Sequence, residues 1–151
     1  MKYFLALLNL IFLSSCNQKI DSTLHDISSE ISLVNTISNS NRIIIKSRKK
    51  DCADSNRKDD CFENSLVYVA KNDNQIKMFE KLFDNLSVTD YRCCPEKNFK
   101  INFFNGSRNT ETYFADSVSI KDSVRVFEKH YRFSYIIEKK KWNDFLNAVE
   151  H

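Results

Sequence analysis

Glycine is almost missing from this chain: Gly106 is the only one in 151 residues. That excludes the glycine-rich loops whose backbone N–H groups cradle phosphate, and the dinucleotide fingerprint with them. Proline and tryptophan also occur once each, as Pro95 and Trp142. The histidines, His25, His130 and His151, are scattered, and no Ser or Cys stands beside a His and an acid in the manner of a nucleophilic triad. An excess of one charge is lacking too. Lys and Arg number 23 against 20 Asp and Glu, a formal net charge of +3. That balance argues against a protein that holds nucleic acid by neutralising many phosphates. Between Cys16 and Cys61 there is no aromatic residue. Aromatic side chains carry much of a core's buried area, so the main core belongs from about residue 62 onward. No apolar run reaches the ~20 residues needed to cross hydrocarbon.

What the N-terminus does have is an export layout. Lys2 is followed by the apolar run from Tyr3 to Leu13 and then by Ser14-Ser15. Leu13-Ser14-Ser15-Cys16 resembles the lipobox of bacterial lipoproteins, in which a Leu, small residues and a Cys mark the cut. The resemblance covers residues 1–16 only. It implies that the Cys16 thiol receives a diacylglyceryl group and that residues 1–15 are removed, leaving Cys16 at the N-terminus. One acyl chain binds a membrane marginally, whereas two or more anchor stably. Residues 16–41 then form a lipidated N-terminus and tether, and residues 42–151 a single domain. Asn17 stands where an Asp retains some lipoproteins at the inner membrane, which points to the outer membrane, on its periplasmic face or at the cell surface. Export also counts against a nucleic-acid partner.

The tether is rich in Ser, Asn and Thr, yet Ile20, Leu24, Ile27, Ile31 and Val34 recur at helical spacing. This favours a short amphipathic helix over a bare linker. Downstream, Arg42-Ile43-Ile44-Ile45-Lys46 and Leu66-Val67-Tyr68-Val69-Ala70 read as strands. Asp73 is placed to cap a helix over 74–86, with Ile76, Phe79, Phe83 and Leu86 on one face. Asn105-Gly106 suits a type I′ turn between strands at 98–104 and 107–114. In that register Phe104 faces Ser107, Ile101 faces Thr110 and Lys100 faces Glu111, while Phe99, Ile101 and Phe103 share one face. Residues 124–127 and 131–137 read as two more strands, the second alternating Tyr131, Phe133, Tyr135 and Ile137. A helix over about 140–150 turns Trp142, Phe145, Leu146 and Val149 inward. The expectation is an α+β domain: an antiparallel sheet of about four to six strands with two or three helices packed on it.

Setting Cys16 aside leaves Cys52, Cys61, Cys93 and Cys94, an even number in an exported chain. Disulfides are the expected use. A Cys52–Cys61 bridge would staple a polar loop that has no core of its own, stabilising it by ~2–3 kcal/mol. Alternatively, Cys93 and Cys94 could each bridge to one of that pair and clamp the loop to the body. A bond between Cys93 and Cys94 themselves would be strained. The cysteines lack the paired two-residue spacings of redox and zinc motifs.

Asp51, Asp54, Asp59, Asp60 and Glu63 fail the calcium-loop template, because Lys58 stands at its fifth position and its glycine is missing. Lys139-Lys140-Lys141 reads as a solvated basic face. Asp21-Ser22-Thr23, Asp116-Ser117-Val118 and Asp122-Ser123-Val124 resemble the Asp-Ser/Thr-apolar sites at which some exported bacterial proteins are O-glycosylated. The sequence thus offers no assembled catalytic set, no metal ligands and no cofactor signature. It fits a membrane-held, non-catalytic module that binds another envelope protein, as an inhibitor or immunity-type lipoprotein does. Two rivals stand beside it: a thiol redox protein or Cys-dependent enzyme using Cys93 and Cys94, and a structural or assembly lipoprotein of the outer envelope.

Overall fold

The computed structural model describes residues 32–49, 60–62, 65–84, 87–89, 95–130 and 133–149. Cys16, Cys52, Cys93 and Cys94 lie outside them, as do Ile20, Leu24, Ile27, Ile31, Leu86 and Tyr131. The described chain is an α+β fold built on one antiparallel sheet. Helix α1 covers residues 32–38. The strands are β1 (Arg42–Ser47), β2 (Leu66–Ala70), β3 (Ser87–Val88), β4 (Phe99–Asn105), β5 (Arg108–Asp116), β6 (Ser123–Glu128) and β7 (Ser134–Glu138). Helix α2 spans Asp73–Glu80 and runs into a 3-10 turn at Lys81–Phe83; helix α3 spans Lys139–Val149. Another 3-10 turn lies at Asp60–Phe62. The strand order is β2-β1-β4-β5-β6-β7-β3, every neighbour antiparallel. The sheet exceeds the expected number of strands by one, the two-residue β3, which is too short to leave a period in the sequence.

Alternation sorts the strands into two faces. Ile43 and Ile45 of β1, Tyr68 and Ala70 of β2, Ile101 and Phe103 of β4, Tyr113 and Ala115 of β5, and Val124 and Val126 of β6 point into one core. Tyr135 and Ile137 of β7 join them, with Phe133 just before that strand. The helices close this face. Ile76 and Phe79 of α2, Leu82 and Phe83 of the turn after it, and Trp142 and Phe145 of α3 complete the cluster. Edge-to-face aromatic contacts tie the layers together: Tyr68 meets Phe145 at 4.9 Å and Phe99 meets Trp142 at 5.2 Å between ring centres. On the opposite face Cys61, Phe62, Phe114 and Phe127 form a smaller cluster.

Several expectations shift. The helix entering the body buries Leu33 and Ile37 and leaves Val34 43% exposed, so its inner face is rotated from the one read off the sequence. Because Leu33 and Ile37 belong to the core, the packed body begins before Arg42. Asn72, not Asp73, caps α2: its side chain accepts from Gln75 N at 3.0 Å, and Asp73 becomes the first helical residue.

The central hairpin differs most. Its turn is Gly106-Ser107, with Gly106 at φ 61° and Asn105 paired to Arg108. A bulge between Phe103 and Phe104 then moves the pairing, so Ile101 faces Tyr113 and Lys100 faces Phe114. The physical reason is burial. This register puts Tyr113 and Ala115 in the core, where the sequence-based one would have placed Thr110.

The exposed edge at β2 is short and irregular. A register shift opposite Ile45–Lys46 interrupts its pairing with β1, and the Lys71 N–H that follows the strand donates to Gln75 Oε1 at 2.9 Å. Both devices blunt a strand of uncharged residues that would otherwise invite pairing.

Tyr113 of β5 is buried close to Ser32 and Thr36 of α1; the Thr36 hydroxyl donates to Ser32 O at 2.9 Å. Burial, with the Glu128 charge adding to it, pushes the Tyr113 pKa up to about 12, while the Ser32 and Thr36 hydroxyls act to lower it. The folded value lies above the unfolded one near 10, so this contribution is whole below pH 10 and is lost as pH rises toward 12. We expect about 2–3 kcal/mol of stability to disappear across that window. A Tyr113→Phe variant should show a shallower alkaline decline in a urea titration; equal slopes would refute the assignment.

Candidate functional site

One end of the sheet gathers three chain segments. Residues 47–49 leave β1, residues 95–98 lead into β4, and residues 116–119 leave β5. Each is pinned by hydrogen bonds to the others. Arg48 N donates to Asn98 O at 2.7 Å, and Asn98 N to Ala115 O at 3.0 Å. The Asn98 side chain accepts from Ser117 N at 2.9 Å. Behind them, Lys49 N donates to Cys61 O at 3.0 Å, and Ser65 Oγ donates to Ser47 O. Lys97 Nζ sits 4.2 Å above the Phe114 ring, which fastens the 95–98 segment to the small cluster on that face.

Asp116 organises the loop after β5. It is buried, and its carboxylate accepts from Glu96 N at 3.0 Å, Val118 N at 3.1 Å and Ser119 N at 2.9 Å. Burial alone would raise its pKa. The hydrogen bonds from Ser119, Val118 and Glu96 outweigh that and hold the carboxyl below the ordinary carboxylate range. A folded value below the unfolded one stabilises the protein at pH above about 4 and loses that stabilisation as pH falls through it. Replacing the carboxylate leaves three backbone N–H groups without their acceptor. Asp116→Ala should therefore cost about 2–3 kcal/mol and flatten the acid limb of the stability profile. A cost under about 0.5 kcal/mol would show that the loop is held by other means.

The result is a braced loop that presents Val118. This apolar side chain is 62% exposed, yet its own N–H is fixed by Asp116. Beside it opens a cleft of about 380 Å³, lined by Ser47, Arg48, Lys49, Asn98, Phe99, Ser117 and Val118. Phe99 packs against Trp142 on its core side. Arg48 and Lys49 are exposed.

Two smaller clefts lie elsewhere. One of about 260 Å³ is lined in part by Leu82, Asp84, Ser123, Glu138 and Lys141. Another of about 160 Å³ lies against Glu111, Thr112, Lys129 and His130. Tyr113 and the half-buried Glu128 line none of the three. Among the described residues, no group of three or more His, Cys, Asp or Glu is placed to hold a metal ion. Nor is any described helix long and apolar enough to cross a membrane.

Of the cysteines singled out by the sequence, Cys61 is the described one. It is 3% exposed and disulfide-bonded, within the cluster of Phe62, Phe114 and Phe127. A bonded cysteine has no thiolate to offer as a nucleophile. Of the Asp-Ser-Val triplets, the first has its Asp locked in the loop and the second has Val124 buried in β6. Asp21-Ser22-Thr23 lies outside the described residues. Little in the chain marks Asp116 as an organiser. Its bond to Glu96 spans twenty residues, and only the local Asp-x-x-Ser pattern, typical of a side-chain-closed turn, hinted at the rest.

No family model and no curated protein matches the chain. Among solved structures, it is similar to a thioesterase-like protein from Clostridium sporogenes at 12% identity and a TM-score of 0.42. That alignment covers 74% of this chain and 94% of the other. A likeness at that level transfers neither substrate nor activity.

Proposed function

We propose that this chain is an envelope lipoprotein, held through acyl chains on Cys16, whose body docks another envelope protein at the sheet end that carries Val118. The lipobox-like segment supports the anchor. One observation supports the docking reading: Val118 is an apolar side chain displayed to solvent on a loop that a buried carboxylate holds in place. An apolar knob on a fixed backbone loses little entropy when it is buried by a partner, which is what a binding hot spot requires. The groups around it do not form a nucleophile and base. Asp116 is committed to three backbone N–H groups, and Asn98 and Ser117 are bonded to each other.

The test is crosslinking in the native cells. A photoreactive phenylalanine in place of Val118 should trap a defined protein. The same residue in place of Met78, which is 42% exposed on α2, should not. With the chain otherwise native, Val118→Asp should weaken co-purification of that protein by at least about tenfold while leaving the fold intact. Equal trapping at both positions, or capture that survives Val118→Asp, would move the contact elsewhere.

A further inference from the structure

The two faces of the sheet are covered unequally. The helices close one, while the small cluster of Cys61 and Phe62 on the other lies against Phe114 and Phe127. Toward the opposite end of that second face, alternation brings Arg42 and Ile44 of β1, Asn102 and Phe104 of β4, and Thr112 of β5 to a common surface. Two of these side chains carry hydrogen-bonding capacity that the fold does not use.

Asn102 is a buried amide, 8% exposed. Its Oδ1 accepts from Thr112 Oγ1 at 3.1 Å and from Asn109 Nδ2 at 3.4 Å. Among the described residues none accepts from its Nδ2, so both donors of that group are left over. Arg42 stands diagonal to it. The Arg42 Cζ lies 4.3 Å from the Phe104 ring centre, and this stacking fixes the plane of the guanidinium. Its Nε is buried without an acceptor, and among the described residues no carboxylate pairs with it. Strands β1, β2 and β4 carry no acid, and Glu111 of β5 stands opposite Phe103, on the helix-covered side.

We propose that Arg42 and Asn102 hold the carboxylate of an organic acid whose apolar body lies along Ile44 and Val69. The rows of the sheet give the arrangement. Ile44 stands opposite Asn102 and Val69 opposite Ile44, and both apolar side chains are half-buried. Diagonal neighbours on adjacent strands are roughly 7–8 Å apart. A carboxylate between them, with each oxygen ~2.9 Å from its donor, spans that gap. An ionised carboxylate offers acceptors only, which is what a fixed guanidinium and an amide NH2 lack. An ammonium would meet the Arg42 charge, and an inorganic anion would leave Ile44 and Val69 uncovered. The surface lies at the opposite end of β1 from Ser47, so it is separate from the Val118 cleft and does not rest on the docking reading.

The experiment titrates the intact, 15N-labelled protein with hexanoate and follows the Arg42 Nε–H and Asn102 Nδ2 signals. Both should shift and saturate together. Hexanoate should bind at least about tenfold more tightly than acetate or inorganic phosphate, because its chain covers apolar surface. Hexylamine should leave both signals in place. Arg42→Met keeps an apolar stem over Phe104 and removes the charge. Asn102→Asp keeps the acceptor for Thr112 and Asn109 and removes the donor. Each should weaken hexanoate at least about tenfold, with the thermal midpoint read alongside; if Asn102→Asp lowers that midpoint, Arg42→Met decides. Signals that do not move with hexanoate, or native affinity in Arg42→Met, would overturn the site. Acetate or phosphate binding as tightly as hexanoate would overturn the apolar body assigned to the ligand.

Discussion

Phe79→Ala should remove about 3–5 kcal/mol of stability, the largest loss expected from any single truncation in the core. Phe79 is fully buried and meets three other aromatics. Its ring centre lies 5.1 Å from Phe83, 5.9 Å from Phe103 and 5.9 Å from Phe145. Those partners belong to the turn after α2, to β4 and to α3, so one side chain joins the helical layer to the middle of the sheet. Surrounding groups on three separate elements cannot all relax into the space it leaves, and a cavity remains. With total stability of about 5–15 kcal/mol for a domain of ordinary size, such a loss lowers the thermal midpoint by roughly 10–20 °C. Trp142 is the only tryptophan and is fully buried in the same cluster, so its fluorescence reports the transition directly. Met78 supplies the control one residue away: half in solvent, it should cost under about 0.5 kcal/mol on truncation. If the two variants unfold together, the core is not organised around Phe79.

That contrast between neighbours shows what the sequence made legible. Periodicity separates Phe79 from Met78, places Trp142 and Phe145 on one face of α3, and marks the alternation of Phe133, Tyr135 and Ile137. These positions are fixed by burial, which leaves a repeating trace in the chain. The central hairpin was misread because its register depends on a bulge, and a bulge is one residue without a period. Asn105-Gly106 invited a turn one residue too early. Only the demand that Tyr113 and Ala115 be buried settles the alternative, and that demand is visible once the helices above them are in place. The N-terminal helix was misjudged for a related reason. Val34 continued a regular series, but the sheet had room for Leu33 and Ile37. The candidate site left the least trace. Asp116 acts through Glu96 N, far away in sequence, and its remaining bonds lie in a stretch that reads as a modification triplet. A residue whose task is to satisfy backbone groups brought together by folding carries no pattern of its own.

Cys16→Ser should have the largest effect on where the protein is found. The lipobox resemblance implies that acylation of Cys16 precedes removal of residues 1–15, so the serine variant loses both the lipid and the cut. Two acyl chains hold a protein on a membrane far more firmly than one, at ~0.8 kcal/mol per buried methylene. The leader's own apolar run is too short to span in their place. Intact-mass measurement of the native protein should therefore show the chain beginning at Cys16 with added acyl mass. The variant should carry no acyl mass and keep residues 1–15, and its membrane partitioning should drop by at least about a hundredfold. The consequence for docking is separable from the contact itself. An anchor confines the Val118 surface to the layer of solution in which an envelope partner sits, and raises its effective concentration without adding a single contact. Cys16→Ser should then abolish crosslinking from position 118 in cells, although the contact surface itself is untouched. A native protein found unacylated, or cut anywhere but before Cys16, would refute the anchor. Full crosslinking by a released Cys16→Ser variant would refute the concentration effect built on it.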